Sequence, residues 1–325
     1  MEDLLERFNG LKALVVGDVM IDVYSKGVVE RMSPEAPVPI VNVKTRFARM
    51  GGAANVALNL KALGATPILC SVITDDDSGK TLLKLMEEAG LDTRFLAMSP
   101  TRKTTVKHRI FDGDRQVLRM DEEDTSDLTD FEHEALFNAI SAAMSDYRFD
   151  VIILQDYNKG VLSEKAIQTI TAIANKNGIP VAVDPKKKNF FAYQGVTLFK
   201  PNAKELREGL GVTAETPEAL QQAMLTLQKR LNCQYLMVTL SEKGVMMLHD
   251  DTFHHLPAHP RNIVDVSGAG DTVLSVAALC VALHASSEAI TSLSNLAGGQ
   301  VCEEVGVVPI KKERLSEEVQ RISHE

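Results

Sequence analysis

The chain alternates short apolar runs with stretches whose apolar positions recur every three or four residues. "KALVVGD" (12–18), "TPILCSVI" (66–73), "DVIILQDY" (150–157), "PVAVDP" (180–185), "VTLFKPN" (196–202) and "YLMVTL" (235–240) read as buried strands. Helical spacing fills "AANVALNLKALG" (53–64), "SGKTLLKLMEEAG" (78–90) and segments near 163–177 and 215–231, with Gly64 and Gly90 closing the first two. "DTVLSVAALCVAL" (271–283) is apolar on every side, as a buried helix is. Strands alternating with helices predict βαβ units and a mostly parallel sheet covered on both faces, a three-layer α/β/α arrangement. Two segments break the rhythm. Residues 23–50 are Pro-rich and alternate like strands, and 104–121 reads as a hairpin turning at Asp112-Gly113-Asp114. Together they predict a small accessory sheet. Ligands of open α/β sheets bind beyond the carboxyl ends of the strands, so a lid over that edge is its natural place. The expectation is one domain over 1–325, with a lid formed by about 23–50 and 104–121.

Composition narrows the partners. Lys+Arg is 35 against 44 Asp+Glu, a formal net charge of −9. That excess of acid speaks against nucleic acid or an anionic membrane as the main partner. It leaves room for a local basic pocket. Cys70, Cys233, Cys280 and Cys302 form no C-x-x-C pair, and three lie in apolar stretches, so buried free thiols in a reducing compartment are expected. "MEDLLERFNG" carries no apolar run of signal-peptide length and no segment reaches the roughly 20 apolar residues of a membrane span. The chain is expected to be cytoplasmic.

The chemistry concentrates in "NIVDVSGAGDTVLS" (262–275). Gly268, Ala269 and Gly270 precede the buried helix, and free N–H groups at such a turn form an anion site. The dinucleotide pattern G-x-G-x-x-G fails at Val273. The Walker pattern fails at "TDDDSGKT" (74–81), where Thr74 replaces the first glycine and Asp75, Asp76 and Asp77 would repel a triphosphate, so that segment reads as a strand-to-helix turn. A carboxylate beside an anion cradle suits phosphoryl transfer, where Asp271 would take the proton of an attacking hydroxyl. Asp271 as a simple helix cap is the alternative. His249, His254, His255 and His259 lack the spacing of a metal site and are expected at the surface.

"DVSGAGDT" resembles the C-terminal signature of the ribokinase-like (PfkB) carbohydrate kinases. "GDVMID" (17–22), "GGAANVALNLKALG" (51–64), "KPNAKE" (200–205) and "VTLSEKG" (238–244) fit that family in order. Within it, "RMSPEAPVPIVNV" (31–43), "QDYNKG" (155–160) and "VDPK" (183–186) resemble the heptose 7-phosphate kinases of lipopolysaccharide core synthesis. In many bacteria those are fused to an adenylyltransferase. Here the sequence closes at "RISHE", so the resemblance implies a stand-alone kinase.

The resemblance implies a ribokinase-like fold, ATP and Mg²⁺, transfer to the anomeric hydroxyl of a heptose 7-phosphate, and a homodimer paired through the lid. It implies Asp271 as base, with Gly268, Ala269 and Gly270 as the anion hole. Asp22, Gly51, Gly52 and Asn55 would bind the sugar. Asn202, Ala203, Lys204 and Glu205 would serve the nucleotide, Glu205 reaching Mg²⁺ through water, although Asn202 and Glu205 also read as a capping box. Thr239, Ser241, Gly244 and Asn295 would line the nucleotide site, and Asp265 would help hold a monovalent cation such as K⁺. The far phosphate needs cations: Arg31, Lys107, Arg109, Arg119, Lys159 and Lys186 are candidates, with Asp184 beside the last. Another sugar or nucleoside kinase of the family is the runner-up. A non-catalytic sugar-phosphate sensor is the reading from another class, and a nicotinamide dehydrogenase is weakened by the missing glycine.

Overall fold

The computed structural model describes residues 1–323. In chain order its strands are β1 (Lys12–Gly17), β2 (Val19–Met32), β3 (Pro39–Gly52), β4 (Thr66–Thr74), β5 (Leu96–Ser99), β6 (Thr105–Asp112), β7 (Arg115–Glu122), β8 (Val151–Gln155), β9 (Val181–Asp184), β10 (Leu198–Phe199), β11 (Tyr235–Thr239), β12 (Val245–His249) and β13 (Thr252–Leu256). The helices are α1 (Glu2–Glu6), α2 (Ala53–Ala62), α3 (Asp77–Glu88), α4 (Asp130–Asp146), α5 (Glu164–Lys176), α6 (Ala203–Leu210), α7 (Pro217–Leu231), α8 (Ala269–Ala282), α9 (Ser287–Val301) and α10 (Lys312–Ser323).

Continuous apolar runs build the main sheet, ordered β13-β12-β11-β10-β9-β8-β1-β4-β5, with successive side chains on opposite faces. It is parallel except where β12 runs antiparallel to both β11 and β13. Ala13 and Val15 of β1, with Val151 and Ile153 of β8, enter one core beside residues of α2, α8 and α9. Leu14, Val16, Ile152 and Leu154 point the other way, into a second core with residues of α4, α5 and α7. Because both faces are covered, these strands are apolar throughout. Residues 271–281 of α8 are all buried, as the all-round apolar pattern required. Among the described residues, no helix is long and apolar enough to cross a membrane.

At Asp18 the chain leaves the main sheet and enters a second sheet, ordered β3-β2-β6-β7. Gly17 permits that exit: a Cβ there would lie 2.0 Å from the Gln155 carbonyl oxygen. The two excursions foreseen from the sequence supply all four strands, and the hairpin turns at Gly113, whose φ is +57°. The strand expected over 196–202 is narrower, a Leu198–Phe199 ladder followed by a bridge at Asn202. Pro201 lacks a donor and interrupts it. Asp76 caps α3 by accepting from the Gly79 N–H at 2.6 Å, which makes 74–81 the turn the sequence suggested. All four cysteines are free and buried, and burial pushes the Cys70 thiol up to about 12.

Candidate active site

Four neighbouring parallel strands end at one edge. Past their carboxyl ends the chain delivers Asp18 after β1, Gln155 and Tyr157 at β8, Asp184 and Lys186 at β9, and Lys200 and Asn202 after β10. The N-terminus of α8 faces this edge. Its N-cap is Gly268 at φ +81°, with no side-chain cap, whereas α3, α4, α5, α6, α7 and α9 are each capped by a side chain. Its first-turn N–H groups therefore carry no competing side-chain acceptor. A Cβ on Gly270 would stand 3.5 Å from Asp184 Oδ2 and 3.7 Å from Lys200 Nζ, so the turn, a carboxylate and an ammonium crowd one small volume.

Asp271 is 2% exposed. Its Oδ2 accepts from Asn55 Nδ2 at 2.7 Å, and its Oδ1 accepts from Tyr157 Oη at 2.8 Å and Gln155 Nε2 at 3.1 Å. It caps no backbone N–H of α8. Burial pushes the Asp271 carboxyl up to about 7; the Asn55 and Tyr157 hydrogen bonds oppose that rise and the Asp184 charge adds to it.

Asp184 is buried beside Lys200, whose Nζ lies 3.0 Å from Oδ2. Burial alone would raise its pKa; Lys200 and Lys186 outweigh that and hold it below the ordinary carboxylate value. Lys186 bonds Glu205 and stands 3.7 Å from Asp184 Oδ1. Burial works against its charge, but Asp184 and Glu205 keep its pKa above the ordinary lysine value. Glu205 Oε2 also accepts from the Asn202 N–H at 2.9 Å, and Asn202 Oδ1 accepts from the Glu205 N–H at 2.9 Å, so the capping box is present. Asp184 Oδ1 is buried and accepts no hydrogen bond among the described residues. Asp184 Oδ1, free of hydrogen bonds, and Glu205, both ion-paired with Lys186, are hard oxygen donors of the kind that fits Mg²⁺ held partly through water.

On the other side, Asp22 of β2 is 2% exposed and bonded to Arg109 of β6. Burial raises its pKa and Arg109 counters the rise. Gly51 of β3 leaves the space: a Cβ would lie 2.3 Å from Asp22 Oδ2. Gly52, at φ +60°, starts α2 and with it Asn55. A Cβ at Gly52 would meet the Asp18 carbonyl at 2.3 Å.

The remaining candidates are more scattered. Thr239 bridges to Asn202, and Ser241 and Gly244 (φ +55° and +86°) flank the tight turn after β11. Asn295 donates to the Pro257 carbonyl at 2.8 Å. Ala203 opens α6, while Lys204 is 77% exposed and pairs with Glu208. Asp265 accepts from the Ser267 and Gly306 N–H groups at 2.9 and 2.8 Å. Lys107 and Lys159 converge on Glu123 at 3.7 and 2.7 Å, Lys107 also meeting Asp121 at 3.1 Å. Lys186 lies with Asp184 and Glu205, apart from that group in its pairing. His254 bonds Ser287 and His255 the Lys243 carbonyl, from opposite faces of β13.

Gln155, Tyr157, Lys200 and Asp18 had no assigned role from sequence. A signal was present for all four: each is a polar residue at or just past the carboxyl end of an apolar strand, where open α/β sheets bind ligands.

The profile of the pfkB family carbohydrate kinases matches residues 11–313. The Bifunctional protein HldE of Methylobacillus flagellatus is 44% identical over 307 residues, covering 94% of this chain and 63% of that protein. The protein of the same name from Syntrophotalea carbinolica is 38% identical over 318 residues, covering 98% and 64%. The chain thus spans just under two thirds of the length of these relatives. Phosphofructokinase-2 from Escherichia coli, in complex with substrates and products, superposes with a TM-score of 0.79 at 16% identity, covering 96% of this chain and 100% of that one. A putative ribokinase from Agrobacterium tumefaciens does so at 0.75 and 20%, covering 98% and 100%. At those identities the structural likeness speaks for the fold. The chain belongs to the pfkB family of carbohydrate kinases and is a sugar kinase on the ribokinase-like α/β fold.

Proposed function

We propose that the protein moves the γ-phosphoryl group of ATP onto the anomeric hydroxyl of D-glycero-β-D-manno-heptose 7-phosphate, giving the 1,7-bisphosphate for lipopolysaccharide core precursors. The observation that carries the chemistry is Asp271, a buried carboxylate beside an uncapped helix N-terminus, with its carboxyl pushed up to about 7. The extended likeness to the HldE proteins, with the S-P-E-A-P-V-P run, supports the heptose phosphate as acceptor.

In this reading Asp271 takes the proton as the anomeric oxygen bonds the γ-phosphorus and the bond to the bridging oxygen breaks. The Gly268, Ala269 and Gly270 N–H groups receive charge on the transferred group. Lys186 and Lys200 offset the nucleotide's negative charge, and Asp184 and Glu205 would hold Mg²⁺. That ion, when bound, neutralises charge on the β- and γ-phosphates. Asp22 and Arg109, with Asn55, orient the sugar, while Lys107 and Lys159 lie on the side suited to its distal phosphate. Thr239, Ser241, Gly244 and Asn295 line the nucleotide side, and Asp265 braces a monovalent cation. The β3-β2-β6-β7 sheet acts as the lid of one domain and pairs with a second copy. The protein works in the cytoplasm.

ADP release over a panel of phosphorylated and plain sugars tests this reading. Heptose 7-phosphate should give the highest kcat/KM, and preference for a plain sugar would reject it. Asp271→Asn should keep both ligands bound and lose about 10²–10⁴ in kcat; near-full turnover would remove Asp271 from the base role.

A further inference from the structure

We propose that Tyr157 is a positioning residue for the Asp271 carboxylate: it fills the second acceptor direction of Oδ1 and leaves one direction, on Oδ2, open to the sugar hydroxyl. This rests on the reading of Asp271 as the base. A carboxylate has about four lone-pair directions. Gln155 Nε2 and Tyr157 Oη occupy Oδ1, and Asn55 Nδ2 occupies one direction of Oδ2. The incoming proton is thereby sent to Oδ2.

The tyrosine is itself held. Asp18, 1% exposed, accepts the N–H groups of Tyr157 at 2.7 Å, Lys159 at 3.0 Å and Val161 at 3.1 Å. Arg102 ties the same loop to the segment before α4, donating to the Lys159 carbonyl at 2.6 Å and the Ser126 carbonyl at 3.0 Å. Gly160, at φ +94°, is fixed by that closeness, since a Cβ would meet the Ser126 carbonyl at 2.0 Å. Burial and the neighbouring Asp271 and Asp184 charges keep the phenol protonated, so it stays a donor. The groups facing Asp271 are then Asn55 from α2, Gln155 and Tyr157 from β8 and its loop, Asp184 and Lys186 from β9 and after, Lys200 after β10, and Asp22 from β2 acting through Tyr157.

A hydrogen bond to the ionised carboxylate lowers its pKa, so removing it raises the pKa. Tyr157→Phe keeps the ring and deletes the donor. The acidic limb of its kcat/KM profile should move up by about one pH unit, with KM for ATP unchanged. Tyr193→Phe is the control. It deletes a buried hydroxyl, bonded to Asp156 Oδ2 at 2.8 Å and not to Asp271, and should leave the limb in place. Carbon-13 titration of the Asp271 carboxyl, assigned with Asp271→Asn, reads the same shift without turnover. An unmoved Asp271 titration in Tyr157→Phe, or an equal shift in Tyr193→Phe, overturns the proposal. If Asp271→Asn itself keeps turnover, the base reading fails instead.

Discussion

Under the proposed function, Gly51→Ala isolates the sugar side of the site from the phosphate side. Gly51 has ordinary φ, so alanine costs no backbone strain. Its Cβ would sit 2.3 Å from Asp22 Oδ2 and 2.8 Å from Met20 Cγ. Ordinary contact begins near 3.4 Å, so the carboxylate must retreat by about 1 Å. Asp22 is buried and tied to Arg109, so it can retreat only by giving up that pairing or its aim at the sugar. A hydrogen bond to a charged group is worth ~1.5–3 kcal/mol, which corresponds to about 10- to 150-fold in kcat/KM for the sugar. If Asp22 binds ground and transition states alike, the loss falls on the sugar's KM and leaves kcat and the ATP KM near wild type. Overpacking costs ~1–3 kcal/mol, a drop of a few degrees in Tm that should leave the protein folded at assay temperature. A coupled ADP-release assay with each substrate varied separates these outcomes. A sugar KM within twofold of wild type, or equal rises in both KM values, would refute Asp22 as the sugar's ligand.

Other expectations follow from the charges. Because Asp271 must be ionised to accept a proton, kcat/KM should fall about tenfold per unit below roughly pH 7, and a flat profile to pH 5 would contradict it. The same raised pKa stabilises the fold below the unfolded value of about 3.9 and loses that contribution as pH rises through about 7. The Tm of wild type minus that of Asp271→Asn should therefore shrink between about pH 4 and 7 and level off above, in differential scanning fluorimetry. Lys186→Met should leave the sugar KM unchanged and cut kcat by about 10²–10³, since Glu205 and Asp184 keep their charge without their cation; an unaltered kcat would place Lys186 outside the reaction. Leu118 and Met120 are 51% and 45% exposed on the outer lid strand, so Leu118→Asp with Met120→Asp should convert a lid-paired dimer to monomer by light scattering. An unchanged mass would reject that interface.

The α/β rhythm was legible because the inner strands bury both faces and each amphipathic helix one. Local periodicity reports both facts. The excursions were legible for the opposite reason: both alternate apolar with polar, 23–50 is Pro-rich and 104–121 is broken by Asp112-Gly113-Asp114, so neither fits a parallel core. The site was legible only where chemistry is local. Gly268, Gly270 and Asp271 lie within four residues, and Asn202 with Glu205 spans a single helical turn. The Asp271 environment was not, because Asn55 meets it across 216 residues and Tyr157 across 114. Nothing in "QDYNKG" says that its tyrosine turns inward, because the turn is imposed by Asp18, 139 residues earlier. Lys107 and Lys159 show the same limit. Their positions suggested a phosphate, but only the folded chain reveals that Glu123 meets both, so a phosphate would have to displace an existing partner.

The β3-β2-β6-β7 sheet is not an independent flap, because residues 305–307 bind it to the turn that opens α8. Tyr24 Oη of β2 accepts from the Val307 N–H at 3.1 Å, and Arg49 of β3 donates to the Val305 and Val307 carbonyls at 2.9 Å. The same segment donates the Gly306 N–H to Asp265 at 2.8 Å, and Asp265 in turn accepts from Ser267, the residue before Gly268. A Cβ on Gly306 would lie 2.8 Å from the Tyr24 ring, so the segment can lie this close to the lid only as glycine. Any lid movement that shifts β2 relative to the main sheet therefore pulls on both ends of one hydrogen-bonded chain, from Tyr24 to Ser267. Asp22, two residues before Tyr24 on the same strand and face, travels with it. Asp22 and the Gly268–Gly270 turn are thus mechanically joined through the backbone of 305–307; under the proposed function, that gives closure on a sugar a direct route to the α8 N-terminus and Asp271.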